Sequence, residues 1–78
     1  MSVFETVKAI IVEILDINPD EVTMEAHFTN DLDASSLDVV EMLMLLEEKY
    51  ELQIPEDTAE AMKTVKDVVV FLEQRLTA

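Results

Sequence analysis

Two adjacent serines, Ser35 and Ser36, sit inside an acidic run, Asp31-Leu32-Asp33-Ala34-Ser35-Ser36-Leu37-Asp38, and they are the residues of this chain best placed for nucleophilic or group-carrying chemistry. A hydroxyl with one histidine and several aspartates in the chain raises the question of a catalytic triad, with His27 as the base. Nothing in the sequence supplies an oxyanion hole or a substrate pocket, and His27 is expected as a loop residue partly packed beside Phe28. A calcium loop starting at Asp31, with Asp33 and Ser35 as further ligands, fails at two positions. The sixth is Ser36, where glycine makes the sharp turn, and the twelfth is Met42, where a bidentate glutamate belongs. With no cysteine and a single histidine, the chain has no disulfide, no thiolate site and no zinc site of its own. No catalytic residue and no metal ligand is assigned, and the chain is read as a non-enzyme.

Elements must hold those serines in place, and length limits what these can be. Seventy-eight residues leave room for one small domain, 1–78. Half of the residues are apolar and 29% charged, so a packed core is expected rather than disorder. Eighteen acids against five bases give a net charge of −13. That charge repels nucleic-acid phosphates and anionic lipid alike, which leaves basic proteins as partners and argues against self-association, so a monomer is expected. The opening MSVFETVKAI lacks the basic stretch and apolar run of a signal peptide, and no run approaches ~18 apolar residues. A cytoplasmic location without membrane insertion is the expectation.

Spacing of three and four in Val3, Phe4, Val7, Ile10, Ile11 and Ile14 predicts a helix over about 3–15, with Ser2 and Glu5 fitting a capping box. The periodicity then lapses to Ser35, so a long loop follows, with at best one short turn at Asn18-Pro19-Asp20. Its apolar residues, Ile17, Val22, Phe28 and Leu32, must tether it, with Phe28 and Leu32 as the main anchors. A second helix is predicted from Ser36 to about Tyr50, with Ser35 as N-cap and Asp38 at the third helical position. One or two turns follow Pro55. Thr64 and Asp67 then cap a last helix to about Leu76, with Val65, Val68, Val69 and Leu72 on one face. The predicted fold is all-α, a small antiparallel four-helix bundle of three main helices and one short one, with a long first loop.

On a wheel of about 100° per residue, Val39, Met42, Leu43, Leu46 and Tyr50 share one side of the second helix and belong to the core. Leu37, Val40 and Met44 lie opposite, interleaved with Glu41, Glu47 and Glu48. Burying that stripe would drag the carboxylates out of water, so it is expected to face solvent or a partner. Between residues 31 and 60 stand ten acids and one base, Lys49. Such a field steers basic surfaces to the helix, and the apolar stripe gives adaptable contact once they arrive. Leu37, Asp38, Val40, Glu41, Met44, Glu47 and Glu48 are the candidate partner-binding residues.

The serine run, followed by VVEMLMLLEEKYELQIP, resembles the prosthetic-group attachment region of acyl carrier proteins, which typically reads DLGADSLD ahead of a helix ending in EEEF and an IP turn. Matching positions are Asp31, Leu32, Ala34, Ser36, Leu37, Asp38, Glu41, Leu46, Glu47, Glu48, Ile54 and Pro55. The likeness extends to the opening helix, the run Ile17 to Val22, Phe28 and the closing TVKDVV. The resemblance implies that the serine before Leu37-Asp38 carries 4′-phosphopantetheine through a phosphodiester, with acyl groups held as thioesters on the arm's terminal thiol. By the match that serine is Ser36. Ser36 is preferred over Ser35 because Leu37-Asp38 fixes the register and Ser35 is occupied in capping.

Two positions depart from the family's pattern: Asp33 stands for its glycine, and Ser35 for the aspartate before the attachment serine. Aspartate tolerates a left-handed backbone and serine caps as well as aspartate, so the turn is expected to survive. The resemblance implies as partners a phosphopantetheinyl transferase, acyl transferases, ketosynthases and other synthase enzymes with basic docking surfaces, and acyl chains as cargo. Fatty acid synthesis is the favoured setting, with polyketide or specialised lipid pathways open. The remaining alternative is an acidic adaptor or structural subunit that is never modified and uses helix 36–50 as a docking face.

Overall fold

The 13 residues Val3–Leu15 form α1, because their apolar residues repeat every three to four positions and Ser2 Oγ accepts the Glu5 N–H at 3.1 Å to start it. The computed structural model describes residues 2–77, so the outer residues of the expected domain, Met1 and Ala78, lie outside it. After α1 come a 3-10 turn at Pro19–Glu21, α2 at Ser36–Tyr50, α3 at Glu56–Ala61 and α4 at Val65–Thr77. The fold is the expected all-α bundle of three main helices and one short one, and α1 packs against both α2 and α4.

Glycine is the usual residue wherever a helix must turn left-handed at its end, and this chain has none. Acidic residues take that place. Asp16 ends α1 at φ 54° and Glu51 ends α2 at φ 53°, each donating its N–H to the carbonyl four residues back, on Val12 and Glu47.

The loop between α1 and α2 is long but not slack, because a buried connection must satisfy its own backbone groups. Asp31 N and Leu32 N both donate to the His27 carbonyl, and Ala34 N donates to that of Phe28. The loop also completes α4. The first N–H groups of that helix have no partner inside it, and Val65 N donates to Ala26 O at 3.0 Å and Lys66 N to Met24 O at 2.9 Å. Phe28 N returns the contact to Lys63 O, which makes an isolated antiparallel bridge between His27 and Thr64. Val22, Phe28 and Leu32 are buried as expected, while Ile17 is half-buried. Ala26 and Ala34 also join the core, beyond the expected tethers.

The core gathers Val7 and Ile11 from α1, Met42, Leu43 and Leu46 from α2, and Val65, Val68, Val69 and Leu72 from α4. Val39 and Tyr50, expected in the core, sit half-buried at its edge. Ile54 and Met62 are buried on either side of α3, which itself buries no residue.

Candidate functional site

Loop and helix meet at Asp33, whose φ of 55° makes the left-handed turn that directs the chain into α2. The next residues build a complete cap. Ser35 Oγ accepts from Asp38 N at 3.1 Å, and Asp38 Oδ2 accepts from Ser35 N at 3.0 Å. Ser36 is the first helical residue, exposed, and no hydrogen bond engages its hydroxyl among the described residues. The two serines are therefore different in kind: Ser35 is held by the helix start, whereas Ser36 is free to bear a group. At this position the hydroxyl lies near N–H groups that have no partner within the helix, at the positive end of the helix dipole, so a phosphate ester is tolerated there.

Beside Ser36 runs a groove of about 450 Å³ between α2 and α3. Val39, Val40, Leu43, Ala59 and Met62 give it apolar walls, and Ser36, Thr29, Glu60 and Lys63 lie at polar positions along it. A second hollow of about 310 Å³ shares Val40, Leu43 and Ala59 and continues toward Ile54 and Met44. On the other side of α2, facing α1, the space is only about 10 Å³, lined by residues such as Ile11, Phe28 and Met42, and about the size of one water. Room for a tethered chain thus lies on the α3 side. The exposed hydroxyl, the open helix start and the adjoining apolar groove together fit a phosphopantetheine arm on Ser36 with an acyl group beside it.

The apolar stripe of α2 is exposed, as the wheel predicts. Leu37, Val40 and Met44 are 74%, 50% and 61% exposed, with Glu41 and Glu48 exposed among them. Leu45, at 40% exposure, widens the apolar surface beyond the expected residues. Two members of the set are tied down rather than free. Asp38 is half-buried in the cap, and Glu47 is half-buried with Oε2 accepting the Ile54 N–H at 2.6 Å. The reading of Glu47 as a purely solvent-facing charge is corrected here, because the chain folds back after Glu51 and brings Ile54 over it. Only the seven-residue separation of the pair in sequence hides this contact, since no local motif has that spacing.

Asp31 is likewise engaged within the loop: its Oδ2 accepts from His27 N at 2.7 Å. The His27 ring shares the groove with Ser36, but its Nδ1 accepts from Asn30 N at 3.3 Å, so the ring is engaged in its own turn. Among the described residues no group of three or more His, Asp or Glu side chains is placed to hold a metal ion. One carboxylate has a lowered pKa, and it is remote from Ser36 in sequence: Asp67 is held below the usual aspartate range by the Lys63 N–H, with partial burial opposing and Thr64 and the Lys66 charge assisting.

Against known proteins, a family model described as a phosphopantetheine attachment site matches residues 5–72. Proteins named acyl carrier protein are similar over most of their length. That of Helicobacter hepaticus is 53% identical over 73 residues, covering 94% of this chain and 96% of the relative. That of Bdellovibrio bacteriovorus is 49% identical over 75 residues, covering 96% of each. A solved structure described as a candidate acyl carrier protein of Mycobacterium tuberculosis superimposes with a TM-score of 0.83 at 27% identity, over 92% of this chain and 99% of that one.

Proposed function

The chain belongs to the acyl carrier protein family, and on that premise we propose that it carries acyl intermediates on a 4′-phosphopantetheine arm joined to Ser36. The observation that carries the assignment to Ser36 is the contrast between the two serine hydroxyls: Ser35 Oγ is committed to Asp38 N, whereas Ser36 Oγ is exposed and unengaged. When attached, the arm supplies a terminal thiol, a group this cysteine-free chain cannot provide. The protein's own residues present the attachment oxygen, hold the helix start that tolerates phosphate and offer an apolar groove that shields a bound chain from water. On this reading the protein performs no catalysis itself and is acted on by others.

Those others are enzymes with basic docking surfaces: a phosphopantetheinyl transferase, acyl transferases, ketosynthases and related synthase components. The exposed Leu37, Val40 and Met44 among Glu41 and Glu48 support this, since carboxylates guide encounter while apolar contact sets dwell time. Fatty acid synthesis is the proposed setting and the cytoplasm the proposed compartment. No described helix is long and apolar enough to cross a membrane. We take the whole chain, 1–78, as one carrier domain acting as a monomer.

The test is an intact-mass spectrum of the protein purified from its native host. One phosphopantetheine adduct is expected. Its consistent absence, from cells whose transferase modifies other carriers, would support instead an unmodified adaptor that uses α2 as a docking face.

A further inference from the structure

We infer that the ammonium group of Lys63 binds the phosphodiester of the arm on Ser36 and lays the arm along the groove between α2 and α3. The inference rests on the carrier reading, which supplies the phosphodiester, and it adds a residue that the serine motif does not contain.

An arm joined to Ser36 brings a further negative charge to a chain whose net charge is already −13. The helix start offers N–H groups to that charge, but no cation stands nearby in sequence: from residue 31 to residue 48 every charged residue is acidic. Among the residues lining the groove beside Ser36, Lys63 is the single lysine or arginine. Its ammonium group is uncommitted. Among the described residues no salt bridge or hydrogen bond engages it, although Glu56 and Glu60 line the same groove. Three aspartates of the region hold backbone N–H groups instead: Asp38 that of Ser35, Asp31 that of His27, and Asp67 those of Lys63 and Thr64.

The backbone of Lys63 is fixed at both ends. Its N–H donates to Asp67 Oδ2 at 2.9 Å, and its carbonyl accepts from Phe28 N at 3.0 Å. The Phe28 carbonyl in turn accepts from Ala34 N at 2.8 Å, two residues before Ser36. Two backbone bonds through Phe28 thus tie the position of Lys63 to the entrance of α2, and a flexible four-carbon stem carries the ammonium along the groove wall. Lysine binds phosphate as a point charge with no fixed fork to satisfy, so it can follow an arm that moves. Held from this side, the arm starts toward Val39, Leu43, Ala59 and Met62 rather than into solvent. The hold is that of an exposed ion pair, weak and screened by salt.

The test uses holo protein carrying no acyl group, so that the phosphodiester is the anion the arm brings. In the wild type, attachment of the arm should shift the ε-methylene protons of Lys63 and leave those of Lys66 in place. Lys63→Gln is expected to move the phosphorus resonance of the arm and to lower its occupancy of the groove about two- to fivefold, read from nuclear Overhauser contacts between arm methylenes and the methyls of Val39 and Leu43. The variant keeps the backbone bonds to Asp67 and Phe28, so its helical circular dichroism should be unchanged. Lys63→Arg keeps the charge and should stay close to wild type. Lys66→Gln removes an equal charge from a residue that lines a different hollow, with Val70 and Phe71, and should change neither signal. Raising salt from about 0.15 M to about 1 M shortens the Debye length from about 8 Å to about 3 Å and should carry the wild-type phosphorus resonance toward that of Lys63→Gln. Lys63 protons unmoved by the arm would overturn the inference, as would a phosphorus resonance and occupancy unaltered in Lys63→Gln, or an equal effect of Lys66→Gln, which would reduce the matter to net charge. Failure of the carrier reading would show beforehand, as no adduct in the mass of the wild type, and would take the inference with it.

Discussion

Ser35 and Asp38 hold each other across the first turn of α2, the serine hydroxyl taking the aspartate's N–H at 3.1 Å and the aspartate carboxylate taking the serine's N–H at 3.0 Å. Between them stands Ser36, so the pair fixes the backbone that presents the Ser36 hydroxyl, the proposed attachment oxygen, without using that oxygen. Ser35→Ala is expected to cost about 1 kcal/mol, and Asp38→Ala a similar amount, since it also removes a favourable charge from the helix N-terminus. The double variant should cost less than the sum, because the two bonds belong to one box. Urea unfolding of wild type and the three variants measures this, and full additivity would mean that the two bonds act independently.

Much of this site is legible in sequence because its causes are local. The start of α2 is written in Ser35 and Asp38, and its exposed apolar face in the spacing of Leu37, Val40 and Met44. The loop anchors Phe28 and Leu32 are readable because few apolar residues compete for the role. What escapes are contacts between backbone and distant groups. The hold of Glu47 on Ile54, and the pairing of the first N–H groups of α4 with the carbonyls of Met24 and Ala26, arise only once the chain has folded back, and no periodicity encodes them.

Asp33 has a φ of 55°, a conformation that costs an aspartate energy and glycine almost none. Asp33→Gly is therefore expected to stabilise the fold by roughly 0.5–1 kcal/mol, less what glycine loses in unfolded-state entropy. Glu51→Gly at φ 53° should act in the same direction. Thermal melts of both variants would show raised midpoints, and lowered ones would mean that the acidic side chains provide compensating contacts.

Asp67 Oδ2 accepts the N–H groups of both Lys63 and Thr64, and the first of these bonds is the chief cause of its lowered pKa. A carboxylate whose folded pKa is depressed adds stability that is complete above the unfolded value of about 3.9 and is lost as pH falls through the folded value. The advantage of wild type over Asp67→Asn should therefore be steady at neutral pH and shrink below about pH 4. The effect is modest because the group is largely exposed. Urea midpoints of the two proteins across pH provide the measurement, and a gap that widens on acidification would reverse the sign.

Docking should divide between charge and contact. Glu41→Lys with Glu48→Lys is expected to slow association with a basic partner and to flatten its salt dependence, since exposed charges act over a Debye length of about 8 Å at 0.15 M salt. Met44→Ala should leave association nearly unchanged and speed dissociation, because it removes apolar contact alone. Helical circular dichroism should survive all three substitutions. Glu47 is left out of this set because its bond to Ile54 would mix docking with fold. Stopped-flow binding to a ketosynthase across a salt series provides the readout, and unchanged kinetics would place docking elsewhere.

The central claim is that Ser36 Oγ, and not its neighbour, bears the arm. Wild type, Ser35→Ala and Ser36→Ala, each incubated with coenzyme A, magnesium and a broadly specific phosphopantetheinyl transferase, can be weighed intact. One phosphopantetheine adduct is expected on wild type and on Ser35→Ala, the latter forming more slowly if loss of the cap loosens the helix start, and none on Ser36→Ala. An adduct retained by Ser36→Ala, or lost only in Ser35→Ala, would contradict the account.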